Sequence, residues 1–265
     1  MDNSAIRNRR VRRGFLPGLL AASAVAGLGI ALFGGQQVSH AAELNTAAGT
    51  RVLWLGDSIA GTEAPALGAA LQASGVQFKD SSRNGGGTVV NGGDEITQML
   101  SEGTWERLAE DLKVYKPTVI AYQVTTYDWG SPQQQRSAYE KLVAVAKDAG
   151  AKAVFVPSPP VVVEGPHAGH EAEMEKAPQV AEDVAERSGG AALFFDSSQV
   201  WGNDPSAPQA QRSPDGFHNC QQGAVSFAGW FTEQLGNREG FTPAPVGTWA
   251  DGSWTATDIY SIRGC

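Results

Sequence analysis

From Arg51 onward the apolar and polar positions follow two periods in turn. Short apolar runs recur, each ending at a turn signal. Between them lie longer stretches with apolar residues three and four positions apart. The first kind predicts buried strands and the second predicts helices. Residues 52–55 form the first apolar run and lead straight into Gly56-Asp57-Ser58. A helix is expected over 64–73, then a strand beginning at 76–78. Arg83-Asn84-Gly85-Gly86-Gly87-Thr88 reads as a loop with unusual backbone freedom. Ile96, Met99 and Leu100 suggest a short helical turn interrupted at Gly103. Trp105, Leu108, Leu112 and Tyr115 then mark a helix that stops before Pro117.

The third strand is expected at 119–122. Ser131-Pro132 is a helix start, with a capping hydroxyl followed by proline in the first turn. Tyr139, Leu142, Val143 and Ala146 give that helix one apolar face. A fourth strand follows at 153–156, a charged helix at 171–188 with Pro178 as a kink or break, and a fifth strand at 192–195. Ala224, Phe227, Ala228, Phe231 and Leu235 mark the last helix. Strand and helix alternate without a tight hairpin, which implies a parallel sheet with helices on both faces. No internal repeat or second core is visible. One domain over 42–236 is therefore expected, followed by an irregular tail over 237–265.

The first forty residues change the picture. Arg7, Arg9, Arg10, Arg12 and Arg13 form a basic head, an apolar stretch rich in Ala, Gly and Leu follows, and Ser39 and Ala41 supply small residues at a cleavage point. Residues 1–41 read as an export signal. Arg12-Arg13-Gly14-Phe15-Leu16 resembles the twin-arginine pattern. The alternative is an uncleaved anchor, since the run approaches the ~20 residues that span a bilayer. Its Gly and Ala content favours cleavage. The membrane thus enters only through this segment, and a secreted or cell-envelope location is expected.

The chain carries a net charge of −8, which becomes about −12 without residues 1–41. An acidic surface argues against nucleic acid as a partner. The two cysteines, Cys220 and Cys265, read as one disulfide in an exported protein.

The candidate chemistry lies at the two ends of the domain. Ser58 stands at the carboxyl end of the first strand, where open α/β sheets bind ligands. The helix expected after it would bring the Ser58 N–H, an anion-friendly donor, into the same crevice. Near the other end, Asp215-Gly216-Phe217-His218 lets a turn fold a carboxylate back onto an imidazole. That contact would fix the ring tautomer and stabilise the imidazolium formed when the base takes a proton.

With these motifs the sequence resembles the SGNH, or GDSL, hydrolases, a family of esterases, lipases, carbohydrate deacetylases and acyltransferases. The resemblance extends from Arg51 to about Leu235. It implies a flavodoxin-like three-layer α/β/α sandwich on a five-stranded parallel sheet. It also implies Ser58 as nucleophile, His218 as base and Asp215 as its partner. Ser58 is implied as one oxyanion donor, and among the candidates Gly85, Gly86 and Gly87 the usual Gly-x-Thr spacing selects Gly86 as another. The family's Gly-x-Asn-Asp block is altered to Thr125-Thr126-Tyr127-Asp128. Tyr127 stands where the Asn would be, and Gln123 or Thr126 are alternative donors. Tyr-Asp-Trp-Gly is similar to exported actinobacterial members. The implied activity is hydrolysis of small acyl esters, among them acylated carbohydrates, with no cofactor and no metal. The alternatives are a cell-envelope glycan O-acyltransferase using the same triad, and a degenerate member that binds a glycan or a partner without turnover.

Other features rank lower. His167 and His170 could form a metal pair, but they lie in a Pro- and Gly-bearing loop. Trp129, Trp201, Trp249 and Trp254 are either a sugar-stacking platform or packing residues, the commoner role. Asp57 is expected to orient the nucleophile turn.

Overall fold

The computed structural model describes residues 47, 49–208 and 211–265. The proposed signal over residues 1–41 lies outside them. Five strands form one parallel sheet in the order β2-β1-β3-β4-β5: β1 (Arg51–Leu55), β2 (Gln77–Asp80), β3 (Val119–Val124), β4 (Lys152–Pro157) and β5 (Ala192–Phe194). The register pairs Leu55 of β1 with Tyr122 of β3, and Tyr122 with Phe155 of β4.

Side chains alternate across the sheet and create two apolar layers. Val52, Trp54, Val119, Ala121, Val154 and Val156 face α1 (Ser58–Ala73) and α6 (Gln221–Glu239), the latter preceded by the single turn α5 (Ser198–Trp201). Leu53, Leu55, Ile120, Tyr122, Ala153 and Phe155 face α2 (Glu95–Val114), α3 (Pro132–Asp148) and α4 (Glu171–Arg187). Both faces are covered, as an all-parallel sheet requires. The expected three-layer sandwich is the observed one. Strand order reverses direction on either side of β1, and the β1 and β3 carboxyl ends flank that switch point.

Local differences from the sequence reading have physical causes. Helix α1 begins at Ser58, not Ala64, because Asp57 caps it and its first turns are buried against the sheet; Pro65 lies inside it. Helix α2 runs unbroken through Gly103. That glycine provides room: a Cβ there would stand 2.7 Å from the Arg83 guanidinium. Pro178 likewise lies inside a continuous α4. The tail is not wholly irregular. It carries single turns at Val246–Thr248 and Ser253–Ala256 and a short helix, α7 (Asp258–Ser261). The four tryptophans pack. Trp129, Trp201 and Trp249 are buried, and Trp254 rests on Tyr260 with ring centroids 6.0 Å apart. The tail is tied back by the Cys220–Cys265 disulfide and by the Tyr260 hydroxyl, which donates to the Thr62 carbonyl at 2.8 Å. Among the described residues, no helix is long and apolar enough to cross a membrane.

Candidate active site

The site is assembled from three loops at the carboxyl ends of β1, β2 and β3, and from the loop before α6. Asp57 fixes the first of them. One carboxylate oxygen accepts from Ile59 N–H at 2.8 Å, capping α1. The other accepts from Thr126 N–H at 3.1 Å and from the Thr126 hydroxyl at 2.9 Å. Asp57 is fully buried and bolts the Gly56–Ser58 turn to the loop after β3. This is the orienting role expected of it. Ser58 follows at the first helical position, where its N–H has no carbonyl four residues earlier in the helix to donate to.

The loop before α6 is folded around Asp215. Its Oδ1 accepts from the Ser213 hydroxyl at 2.6 Å and from the backbone N–H groups of Phe217 and His218, both at 2.9 Å. Its Oδ2 lies 2.7 Å from His218 Nδ1. Burial alone would raise the Asp215 carboxyl. The bonds from Ser213, His218 and Phe217 outweigh it and hold the group well below the usual carboxylate range. With Nδ1–H donated to that carboxylate, His218 presents the lone pair of Nε2, which lies 2.8 Å from Ser58 Oγ. Burial pulls the imidazole below its ordinary proton affinity. The Asp215 bond offsets this, and the Arg263 guanidinium adds to it. His218 is therefore neutral near pH 7 and able to accept a proton.

The expected oxyanion side differs in detail from the sequence reading. Gly86 has φ +115°, and its N–H is directed at the Arg83 carbonyl at 3.3 Å. The next residue, Gly87, packs on the Gly56–Ser58 turn: a Cβ there would stand 2.6 Å from the Gly56 carbonyl oxygen. No bond from the Gly87 N–H occurs among the described residues. Tyr127 N–H donates to the Thr125 hydroxyl at 3.2 Å, and its ring lies beside Gly86. The alternative donors are occupied. The Thr126 donors go to Asp57, and Gln123 Nε2 donates to Glu63 at 2.6 Å. Asp128 accepts from the hydroxyls of Thr88, Tyr122, Thr125 and Tyr139. Burial pushes its carboxyl up to about 6 against those bonds. It anchors the loop from within the core.

His167 and His170 are both taken up in ring packing against Trp129. The ring of His167 lies between Tyr127 and Phe217, with centroids 4.6 and 5.0 Å away, and its Nδ1 is 3.2 Å from the Thr126 carbonyl oxygen. His170 stacks on Trp129 at 3.8 Å. His167 thus joins the loop after β3 to the loop that holds His218. A cavity of about 680 Å³ lies beside this site; Thr126, Pro159, Glu171, Asp196 and Trp201 are among its lining residues. Neither Ser58 nor His218 lines it, so the bonded groups and not this cavity mark the chemistry.

Sequence reasoning missed Glu63, Arg212, Asn219 and Arg263. One signal was present for Glu63, an acid set in the small and apolar run after Ser58. Arg263 reaches the site only because the tail folds back, and it stands 3.9 Å from Asp215 Oδ2.

No protein-family model matches the sequence, and no curated protein matches it. Solved structures do resemble the fold. A GDSL-like lipase from Bacteroides thetaiotaomicron VPI-5482 superposes with a TM-score of 0.54 at 14% identity, covering 71% of this chain and 89% of that one. An alpha/beta hydrolase enzyme from the metagenome of Lake Arreo, Spain, gives 0.53 at 18% identity, covering 71% and 95%. The acetylxylan esterase Axe2 from Geobacillus stearothermophilus gives 0.52 at 16% identity, covering 71% and 94%. These likenesses show the fold, an α/β sandwich on a five-stranded parallel sheet such as the sequence implied.

Proposed function

We propose that this chain is an exported serine esterase of the SGNH/GDSL family, acting on small acyl esters and on acylated carbohydrates. The observation that carries the reading is the unbroken line of hydrogen bonds Asp215–His218–Ser58, at 2.7 and 2.8 Å. Ser58 Oγ attacks the ester carbonyl while its proton passes to His218 Nε2. Asp215 stabilises the imidazolium that forms. The negative charge on the carbonyl oxygen is received by backbone donors at Ser58 and at the Gly86–Gly87 turn. The tetrahedral adduct then collapses, His218 returns the proton to the departing alkoxide, and an acyl-Ser58 ester remains. Water attacks that ester with His218 again as base, which releases the acid and restores the serine.

The carbohydrate part of the reading draws support from the acetylxylan esterase among the similar folds. The export part draws support from the disulfide, since such bonds persist in oxidising compartments. A panel of p-nitrophenyl esters and acetylated xylo-oligosaccharides, run on the wild type and on Ser58→Ala, tests the reading. Turnover that survives unchanged in Ser58→Ala would exclude it.

A further inference from the structure

Beneath the Ser58–His218 contact lies a second chain of bonded side chains that the reaction does not use. Glu63 sits one and a half turns along α1 from Ser58 and is fully buried. Its Oε2 accepts from Gln123 Nε2 of β3 at 2.6 Å, and its Oε1 accepts from Asn219 Nδ2 at 2.7 Å. Asn219, also fully buried, adjoins His218 in the chain. Its N–H points to the Thr62 hydroxyl at 3.4 Å. Its Oδ1 accepts from Arg212 Nη1 at 3.1 Å. Arg212 in turn donates to the Phe217 carbonyl at 2.6 Å and to the Pro160 carbonyl at 2.5 Å. The residues on both sides of His218 are therefore held, Phe217 through its carbonyl and Asn219 through its side chain.

We infer that Glu63 and Asn219 are positioning residues, a clamp that sets the imidazole of His218 on the hydroxyl of Ser58 by tying the base loop to the nucleophile helix. The inference rests on the serine-esterase reading above. Two features favour this role over simple filling of space. A buried acid and a buried amide are costly unless bonded, and an apolar pair of similar volume would fill the same room. The bonds also connect the two segments whose relative placement decides the reaction, and an error of an ångström there is enough to disable proton transfer. The unpartnered Gln123 Oε1 is the acceptor that a neutral group at position 63 would use after a flip of the Gln123 amide. An amide at position 63 should therefore preserve the clamp.

The test uses Asn219→Ala, Glu63→Ala and Glu63→Gln in the full chain. Hydrolysis of p-nitrophenyl acetate is measured with folding monitored by circular dichroism. Both alanine variants are expected to fold and to lose kcat by roughly 10- to 100-fold, with KM little changed. Glu63→Gln is expected to stay within about threefold of wild type, because both neighbours keep a bonded partner. Wild-type kcat in both folded alanine variants would overturn the clamp. So would failure of both alanine variants to fold while Glu63→Gln folds and works, since the pair would then serve the fold alone. Ser58→Ala is run in parallel. Activity surviving there overturns the esterase reading and the clamp with it. An inactive Ser58→Ala beside fully active clamp variants removes the clamp alone.

Discussion

His218 Nε2 stands 2.8 Å from Ser58 Oγ across 160 positions of sequence. Neither residue's own element brings this about. Ser58 is placed by the turn from β1 into α1, which Asp57 caps and ties to Thr126. His218 is placed by a loop wound around Asp215. Each support is local to its own loop, the Asn219 bond to Glu63 joins the two, and the disulfide at Cys220 and the Tyr260 bond to Thr62 secure the loop and the tail beside them.

Arg263 bears on the proton affinity of the base. Its guanidinium disfavours the imidazolium of His218. Removing that charge in Arg263→Gln should raise the affinity of His218 for a proton. Less neutral base is then present at a given pH, so the rising limb of the kcat/KM profile should move to higher pH. A pH profile of p-nitrophenyl acetate hydrolysis checks this. A limb that stays in place or moves to lower pH would contradict the assigned influence of the tail.

Glu63 should leave a signature in stability. Burial raises its carboxyl to about 8 in the folded protein, against an ordinary value of 4.5, despite the charge of Arg212 and the bonds from Gln123 and Asn219. The native state therefore keeps a proton that the unfolded chain releases. The resulting stabilisation is full below 4.5 and is lost as pH rises through about 8. His218, His167 and Asp128 also titrate abnormally, so the difference between wild type and Glu63→Gln is the informative quantity. Denaturation midpoints measured from pH 5 to 9 should fall more steeply in wild type than in Glu63→Gln. Parallel curves would show that Glu63 ionises normally.

The disulfide closes a loop with a sequence separation of 45. In the chain-entropy description such a loop contributes about 4 kcal/mol by restricting the unfolded chain. Cys265→Ser should lower the urea midpoint by a corresponding amount. It should also free Arg263 from Asp215, so the pH limb should shift as in Arg263→Gln. An unchanged midpoint and limb in the serine variant would mean that the tail holds its place through Tyr260 and Trp249 alone.

Much of this was legible in the chain. The strands announced themselves because a parallel sheet covered on both faces needs continuous apolar runs, and the alternation of runs with amphipathic stretches fixed the layers. The meeting of Ser58, Asp215 and His218 was legible only from the pairing of two local motifs, each weak alone, and from the family that the pairing resembles. Gly103 and Pro178 misled because each reads as a breaker, yet both lie inside continuous helices. The Arg83 guanidinium packs where a side chain at position 103 would be. The oxyanion side was only partly legible, because which N–H of Arg83–Thr88 faces the crevice depends on backbone angles that composition does not encode. The Glu63–Asn219 and Arg263–Asp215 contacts were not legible, although the placing of Glu63 in an apolar run hinted at its burial. Both join distant segments, and no periodicity marks a single buried polar pair.

The most direct measurement is the site of covalent modification by a fluorophosphonate, which reacts with a serine only when a neighbouring base activates it. Intact mass and peptide mapping of the treated protein should show one adduct, on Ser58. The adduct should be absent in Ser58→Ala and strongly slowed in His218→Ala. An unmodified protein, or an adduct on another serine, would contradict the account.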